Sequence, residues 1–303
     1  MRLPDAVPVT SLNHPLLEQI GVQVDVLRLD LIDAVLSGNK PFKLMHNLAR
    51  ARQEGYSRIL SFGGAWSNHI HALAEAGRRE GLEVIAVVRG DDAGSSSTTA
   101  MLDFAVARGV KVLRVSRQDY RRRHETDYLD QLKQQVGDFY LVPEGGANAE
   151  GVLGCEQIAT VVQNSLEDWP DEILLACGTG TTLAGLATGL SRLGAPSLVR
   201  GIAVLKGADF LNNEIRRWLP EGHPQNWVLE TAYHHGGYAR FPVELRDFVR
   251  SFEQYHGVLL DPVYTAKVFS ALWQRIKLGA YLPDSRILVI HTGGLQGRAG
   301  FQL

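Results

Sequence analysis

Short runs of aliphatic and β-branched residues, at 58–62, 83–88, 111–115, 139–142, 172–176, 200–204 and 286–290, alternate with helix-length patterns at 43–54, 68–80, 97–108, 150–166, 181–193 and 264–277. The runs are too apolar to turn either face to water. Both faces must be covered by helices, which is how a mostly parallel sheet with helical crossovers is built. The chain therefore reads as α/β. Its 303 residues suffice for two domains at about 150 residues each.

Composition removes several function classes. Hydrophobic residues at 45% and charged residues at 21% exclude a disordered, collagen-like or coiled-coil chain. Lysine and arginine total 31 against 33 acids, a formal net charge of -2, which points away from nucleic acid or an anionic membrane as partner. The run Arg121-Arg122-Arg123-His124 is followed at once by Glu125, Asp127 and Asp130, so it reads as a solvated helix face. Cys155 and Cys177 stand in no disulfide-framework or zinc spacing, and a reducing compartment is expected. The N-terminus lacks the apolar core of a signal peptide and no run reaches the ~20 residues of a membrane span. The expected setting is soluble and cytoplasmic.

Two strand-to-helix junctions are rich in glycine and small polar residues: Gly63-Gly64-Ala65-Trp66-Ser67-Asn68-His69 and Gly178-Thr179-Gly180-Thr181-Thr182. In open α/β sheets ligands bind beyond the carboxyl ends of strands, where such loops lie. The second junction precedes a helix over 183–190. Free N–H groups, close backbone approach at glycine, and three threonine hydroxyls make it a phosphate cup, with a capped tight turn as the alternative. Neither a G-x-x-x-x-G-K-[ST] loop nor a complete G-x-G-x-x-G occurs, and the strand at 201–205 ends in Lys206 rather than an acid. A monophosphate fits better than a nucleotide.

Pro41 disfavours helix at Lys40, so Lys40 is expected in a loop just ahead of the helix that contains Lys43. A lysine near a second cation and partly desolvated has a lowered pKa and can form a Schiff base; a surface pair is the alternative. Ser67, Asn68 and His69 open a helix and present polar groups suited to a carboxylate, or Ser67 merely caps it. His69 and His71 lie two apart and do not share a helix face, so no metal site is expected; no H-E-x-x-H or G-x-S-x-G occurs either. The stretch from Asp91 to Thr99 reads as a surface loop ending in a helix cap, with a lid as the other reading.

With Gly38-Asn39-Lys40-x-x-Lys43, Gly63-Gly64-x-x-Ser67-Asn68-His69, Gly178 to Thr182, Asp261-Pro262-Val263-Tyr264 and His291-Thr292-Gly293-Gly294 in this order, residues 25–295 resemble the 1-aminocyclopropane-1-carboxylate deaminase / D-cysteine desulfhydrase family. The resemblance implies pyridoxal 5'-phosphate as cofactor and the fold type II, tryptophan synthase β-like architecture. That architecture has two open parallel-sheet domains with the cofactor in the cleft between them. It implies a small α/β domain over 45–148 and a larger cofactor-binding domain from 1–44 and 149–303, assembled as a homodimer. By resemblance, Lys40 is the Schiff-base lysine and α-proton base, and Lys43 sits near the cofactor phosphate. Gly178, Thr179, Gly180, Thr181 and Thr182 cup that phosphate. Ser67 lies beside the reacting carbons, and Asn68 bonds the ring hydroxyl. Asn68 and His69 hold the substrate carboxylate, Tyr264 and Tyr238 flank the substrate, and Thr292 approaches the pyridine nitrogen.

The sequence departs from the family where Pro41-Phe42 and Met45 interrupt the lysine motif, in Leu29-Asp30-Leu31, and in Leu295-Gln296-Gly297-Arg298. Deaminase-type members carry a glutamate facing the ring nitrogen directly after Asp-Pro-Val-Tyr. Here stands Thr265, with Thr292 as the other candidate, and neither supplies a charge. A neutral ring is a weaker electron sink and suits β-elimination, where the leaving group departs readily. The expected substrate is a small β-substituted amino acid such as D-cysteine, giving an α-keto acid, ammonia and sulfide or thiol. Ring opening of the cyclopropane amino acid, racemisation and β-replacement are the alternatives on the same scaffold.

Overall fold

The computed structural model describes residues 3–90 and 98–303. Most of the loop expected between Asp91 and Thr99, residues 91–97, lies outside the described residues. Its end is as expected: the Thr99 hydroxyl accepts the Leu102 amide as a helix cap.

The strands are β1 (Val9–Ser11), β2 (Gln23–Leu27), β3 (Arg58–Gly63), β4 (Glu83–Arg89), β5 (Lys111–Val115), β6 (Tyr140–Val142), β7 (Glu172–Cys177), β8 (Leu198–Ala203), β9 (Trp227–Glu230) and β10 (Arg286–Ile290). They form two open sheets. One runs β1-β2-β10-β7-β8-β9 and the other β5-β4-β3-β6. All pairings are parallel except β1 with β2.

The helices are α1 (Pro15–Ile20), α2 (Lys40–Gln53), α3 (Asn68–Glu80), α4 (Ala100–Val106), α5 (Arg117–Arg121), α6 (Thr126–Val136), α7 (Ala149–Ser165), α8 (Thr181–Arg192), α9 (Leu211–Trp218), α10 (Val243–His256) and α11 (Thr265–Lys277). Among the described residues no helix is long and apolar enough to cross a membrane. Every residue of β7 is buried, which is why it reads as an unbroken apolar run. Its side chains alternate between two cores: Ile173 and Leu175 pack with α7 and α8, Leu174 and Ala176 with α10 and α11. The smaller sheet has its own pair of cores, one against α3 and α4 and one against α5 and α6.

Helices α2, α7 and α8 pack unusually close. A Cβ on Gly154 would lie 1.8 Å from the Phe42 carbonyl oxygen, and one on Gly185 would lie 2.5 Å from the Cys155 Cβ. Cys155 and Cys177 are free, buried thiols in this region.

Three expectations need correction. Lys40 is the first residue of α2, not part of a preceding loop. Pro41 then occupies the first turn, where its missing N–H has no intrahelical acceptor to lose. Arg121–His124 is not a uniformly solvated helix face, because α5 stops at Arg121. Arg122 pairs with Glu125 and Asp127, whereas the Arg123 guanidinium turns inward to Glu144 at 3.2 Å. The large sheet is also wider than the sequence runs indicate, through β1, β2 and β9.

Candidate active site

The carboxyl ends of β3, β4, β7, β8 and β10 open on a cleft of about 540 Å³. Lys40, Lys43, Ser67, Asn68, His69, Gly178, Thr179, Gly180, Thr182, Tyr238, Tyr264 and Thr292 all line it. Thr181 lies just behind, fully buried, with its hydroxyl 2.9 Å from that of Thr179. Residues drawn from five separated motifs are thus brought to one cavity.

Its floor is the turn from β7 into α8. Gly180 caps the helix with φ +78°, and a Cβ there would lie 2.7 Å from Ile215 Cγ1. A Cβ on Gly178 would press at 3.4 Å on the Tyr264 ring. The helix begins at Thr181 rather than at Leu183, so the threonine amides belong to its unpaired first turn. Lys43 reaches over this turn from α2, its Nζ donating to the Gly145 carbonyl at 3.1 Å and to Thr179 Oγ1 at 3.4 Å. Burial lowers its pKa. Glycine turn, helix start, hydroxyls and a buried ammonium together make a cradle for a phosphate dianion.

Lys40 stands beside the cradle. Its Nζ donates to Asn39 Oδ1 at 2.7 Å and lies 5.8 Å from the centre of the Tyr264 ring. Asn39 in turn donates to Thr182 Oγ1 at 2.8 Å, tying the lysine to the phosphate turn. Burial, then the charge on Lys43, brings the Lys40 amine down to about 7. An amine with that pKa is substantially neutral at physiological pH and therefore nucleophilic.

On the opposite side α3 starts at Asn68. Ser67 Oγ accepts the Ile70 amide at 3.2 Å, and the first main-chain bond closes from the His71 amide to the Ser67 carbonyl. The Asn68 and His69 amides therefore precede the hydrogen-bonded ladder. The buried Asn68 side chain leaves Oδ1 without a partner and lies against Gly294 and Gly297. The His69 imidazole turns back into the sheet, Nε2 2.9 Å from Ser61 Oγ. Burial and the two lysines lower its pKa to about 3, so it is neutral. What His69 offers an anion at this helix start is its amide.

Tyr264 and Tyr238 meet edge to face, ring centres 6.3 Å apart, with the hydroxyls 3.5 Å apart. The buried Lys267 ammonium fastens the Tyr238 loop by donating to the carbonyls of Gly237 and Val204 at 2.6 and 3.1 Å. Thr292, at the end of β10, lines the cleft, but Thr265 does not. The Thr265 hydroxyl is occupied by the main chain of Asp261, accepting its N–H at 2.7 Å. Of the two threonines only Thr292 is in a position to meet a ligand.

Several lining residues carry no motif: Arg89, Arg123, His124, Glu144, Glu214 and Arg217. Asn39 was visible inside the lysine motif. Arg89 was not, because a lone arginine at a strand end has no spacing to distinguish it, and Arg123 and His124 belong to the basic run that reads as a solvated face. Among the described residues no cluster of three histidines, cysteines or acids is placed to hold a metal ion.

The cradle, the buried low-pKa lysine and the orphaned Asn68 oxygen fit a phosphorylated aldehyde. Residues 11–293 match the family model described as pyridoxal-phosphate dependent enzyme. The chain belongs to that family, and its cofactor is pyridoxal 5'-phosphate. Within it, the chain is 31% identical to a Thermotoga maritima protein carrying a provisional 1-aminocyclopropane-1-carboxylate deaminase name, over 96% of this chain and 94% of that one. It is 29% identical to an Arabidopsis thaliana bifunctional D-cysteine desulfhydrase/1-aminocyclopropane-1-carboxylate deaminase, over 96% of this chain and 76% of that one. The crystal structure of an ACC deaminase homologue superposes with a TM-score of 0.84 at 27% identity, covering 99% of this chain and 93% of that one. Threonine deaminase isoform 2 from Solanum lycopersicum shares the fold, with a TM-score of 0.69 at 16% identity over 98% of this chain and 87% of that one.

Proposed function

We propose that the protein eliminates a β-substituent from a small amino acid, in the manner of a D-cysteine desulfhydrase, releasing an α-keto acid, ammonia and sulfide or thiol. The observation that carries this reading is that, among the described residues, no acid lining the cleft is free of an arginine, the buried Asp261 behind it being held by the amides of Tyr264 and Thr265. Among the described residues the lining carboxylates are Glu144 and Glu214, and each is paired with an arginine, Arg123 and Arg217. Thr292, neutral, is left to meet the ring nitrogen. Bound pyridoxal phosphate supplies the electron sink that lets the Cα–H bond ionise. A sink without a charged ring is adequate for a good leaving group and poor for opening a cyclopropane.

In this reading Lys40 Nζ takes the α-proton, its lowered pKa keeping it available as a base, and the electron pair left behind expels the β-substituent. Lys43 and Gly178 to Thr182 hold the phosphate, and Asn68 holds the ring hydroxyl. The amides of Asn68 and His69 orient the substrate carboxylate, with Ser67 alongside. Tyr264, backed by Tyr238, closes the other face against water. We assign residues 45–148 to a small domain and 1–44 with 149–303 to the cofactor-binding one, in keeping with the two sheets. A cytoplasmic homodimer goes with this reading. Ring opening is the second reading, favoured by the names of the relatives.

The test starts from the absorbance spectrum. The purified protein is expected to show the visible band of lysine-bound cofactor, and Lys40→Ala to lose it. Product analysis then separates the reactions: pyruvate and sulfide from D-cysteine support elimination, faster 2-oxobutanoate formation from the cyclopropane amino acid supports ring opening, and an inverted amino acid marks a racemase.

A further inference from the structure

Outside the cradle the cleft carries a second concentration of positive charge, on the wall made by the smaller sheet. Arg89 closes β4 and is exposed; its Nη2 lies 3.4 Å from the point a Cβ on Gly64 would occupy, over the loop that leads to Ser67. Its guanidinium sits 5.6 Å from the centre of the Tyr120 ring, and that of Arg123 sits 5.2 Å from the same ring. Tyr120 is buried. The two guanidiniums therefore rest on one fixed aromatic platform.

Their charges are not equally compensated. Arg123 is paired with Glu144 at 3.2 Å and also donates to the Tyr120 carbonyl at 3.2 Å. Arg217, further round the rim, has Glu214 at 3.7 Å. Among the described residues Arg89 has no carboxylate partner. The substrate's own carboxylate already has a holder in the amides at the start of α3, and the cofactor phosphate has Lys43 and the α8 turn. Among the described residues the Arg89 guanidinium over Gly64 is left without a carboxylate once the two anions of the proposed function are placed.

We propose that Arg89, seated on Tyr120 and flanked by Arg123, forms a subsite for a second anionic group, carried on the side chain of the amino-acid substrate. This deepens the proposed function and rests on it: the substrate class becomes a small amino acid with a negatively charged side chain, rather than a neutral one. A guanidinium fork recognises a carboxylate through two parallel hydrogen bonds, so it discriminates the acid from its amide.

The experiment uses the cofactor-loaded protein and two probes that differ in one group, aspartate and asparagine, each as both enantiomers. Neither has a good leaving group, so binding is read from the displacement of the cofactor's visible band. Aspartate of one hand is expected to bind at least about tenfold more tightly than asparagine of the same hand, with the difference shrinking as salt is raised. In Arg89→Gln the ratio is expected to fall to near one, chiefly through aspartate. Arg89→Lys, which keeps the charge and loses the fork, is expected to retain part of it. Equal binding of the two probes by the unmodified protein overturns the subsite. Equal weakening of both probes in Arg89→Gln also overturns it, because Arg89 would then serve the α-carboxylate or the fold. Absence of a visible band in the unmodified protein is a different failure, that of the cofactor reading itself.

Discussion

The two walls of the cleft are made differently. The wall on the larger sheet is buried and locked: Thr181 and Thr182 are buried, Lys43 is held by a carbonyl and a hydroxyl, and Gly180 has no room for a side chain. The wall on the smaller sheet is open, with Arg89 exposed and Gly64 meeting only the flexible end of that arginine. The first wall suits a ligand that stays, the second one that arrives and leaves. A fixed cofactor demands pre-organised donors, whereas a substrate needs charge that can re-form its hydration at each turnover.

The comparison breaks most sharply at Gly180. Gly180→Val places a β-branched side chain at φ +78° and against Ile215, a strain of about 1–2 kcal/mol from the backbone alone. With the steric conflict added, cofactor affinity is expected to fall by more than about 100-fold, read by dialysis and visible absorbance. Gly64→Ala, on the other wall, is expected to leave cofactor affinity within about twofold. If Gly64→Ala stripped the cofactor as well, the division of labour would be wrong. Next comes Thr179→Val, which removes a hydroxyl that the proposed function assigns to the phosphate. A hydrogen bond to a charged group is worth ~1.5–3 kcal/mol, so a loss of roughly 10- to 100-fold in cofactor affinity is expected by the same measurement.

A pH series sharpens the first wall further. Lys40 is brought down from 10.5 to about 7 by burial and by Lys43, so its neutral form grows through neutrality rather than at strongly alkaline pH. The rate at which apoprotein takes up cofactor is therefore expected to rise about tenfold from pH 6 to 8 and then level off, tracking the neutral fraction. A continued rise to pH 10 would mean an unperturbed lysine. The smallest effect belongs to the open wall. Glu144→Gln releases Arg123 from a half-exposed ion pair worth ~0.2–1 kcal/mol, so aspartate binding is expected to tighten about two- to fivefold with no change in cofactor affinity.

The same contrast explains what could be seen in the sequence. The locked wall requires glycine, threonine and lysine at fixed offsets, because backbone approach and helix starts admit few substitutes, and Gly178 to Thr182 announced it. Strands β3, β4, β7 and β10, buried on both faces, left unbroken apolar runs. Strand β2 did not, since Asp25 interrupts it, accepting a hydrogen bond across the sheet from Ser11. Helix α10 buries Leu245, Val249 and Phe252 along one stripe, a pattern present in the sequence but diluted by charged neighbours. Arg89 and Arg123 reach the cleft because β4 ends and α5 stops where they do. Nothing local in the sequence encodes that. Thr265 was adjacent to the right motif, yet its hydroxyl is spent on the Asp261 main chain.

The manner in which the chain crosses itself sets an order of assembly. Gly38, at φ +71°, lies under the Thr292 carbonyl so closely that a Cβ would come within 2.0 Å, and the Asn39 amide donates to that same oxygen at 3.3 Å. The lysine appears early in the chain, yet its seat is clamped by residues about 250 positions later, on a strand, β10, inserted between β2 and β7. During synthesis the reactive amine therefore has no binding pocket until residues 286–294 have left the ribosome. Under the proposed role of Lys40, loading with a free aldehyde waits for β10 and the turn after it to be in place.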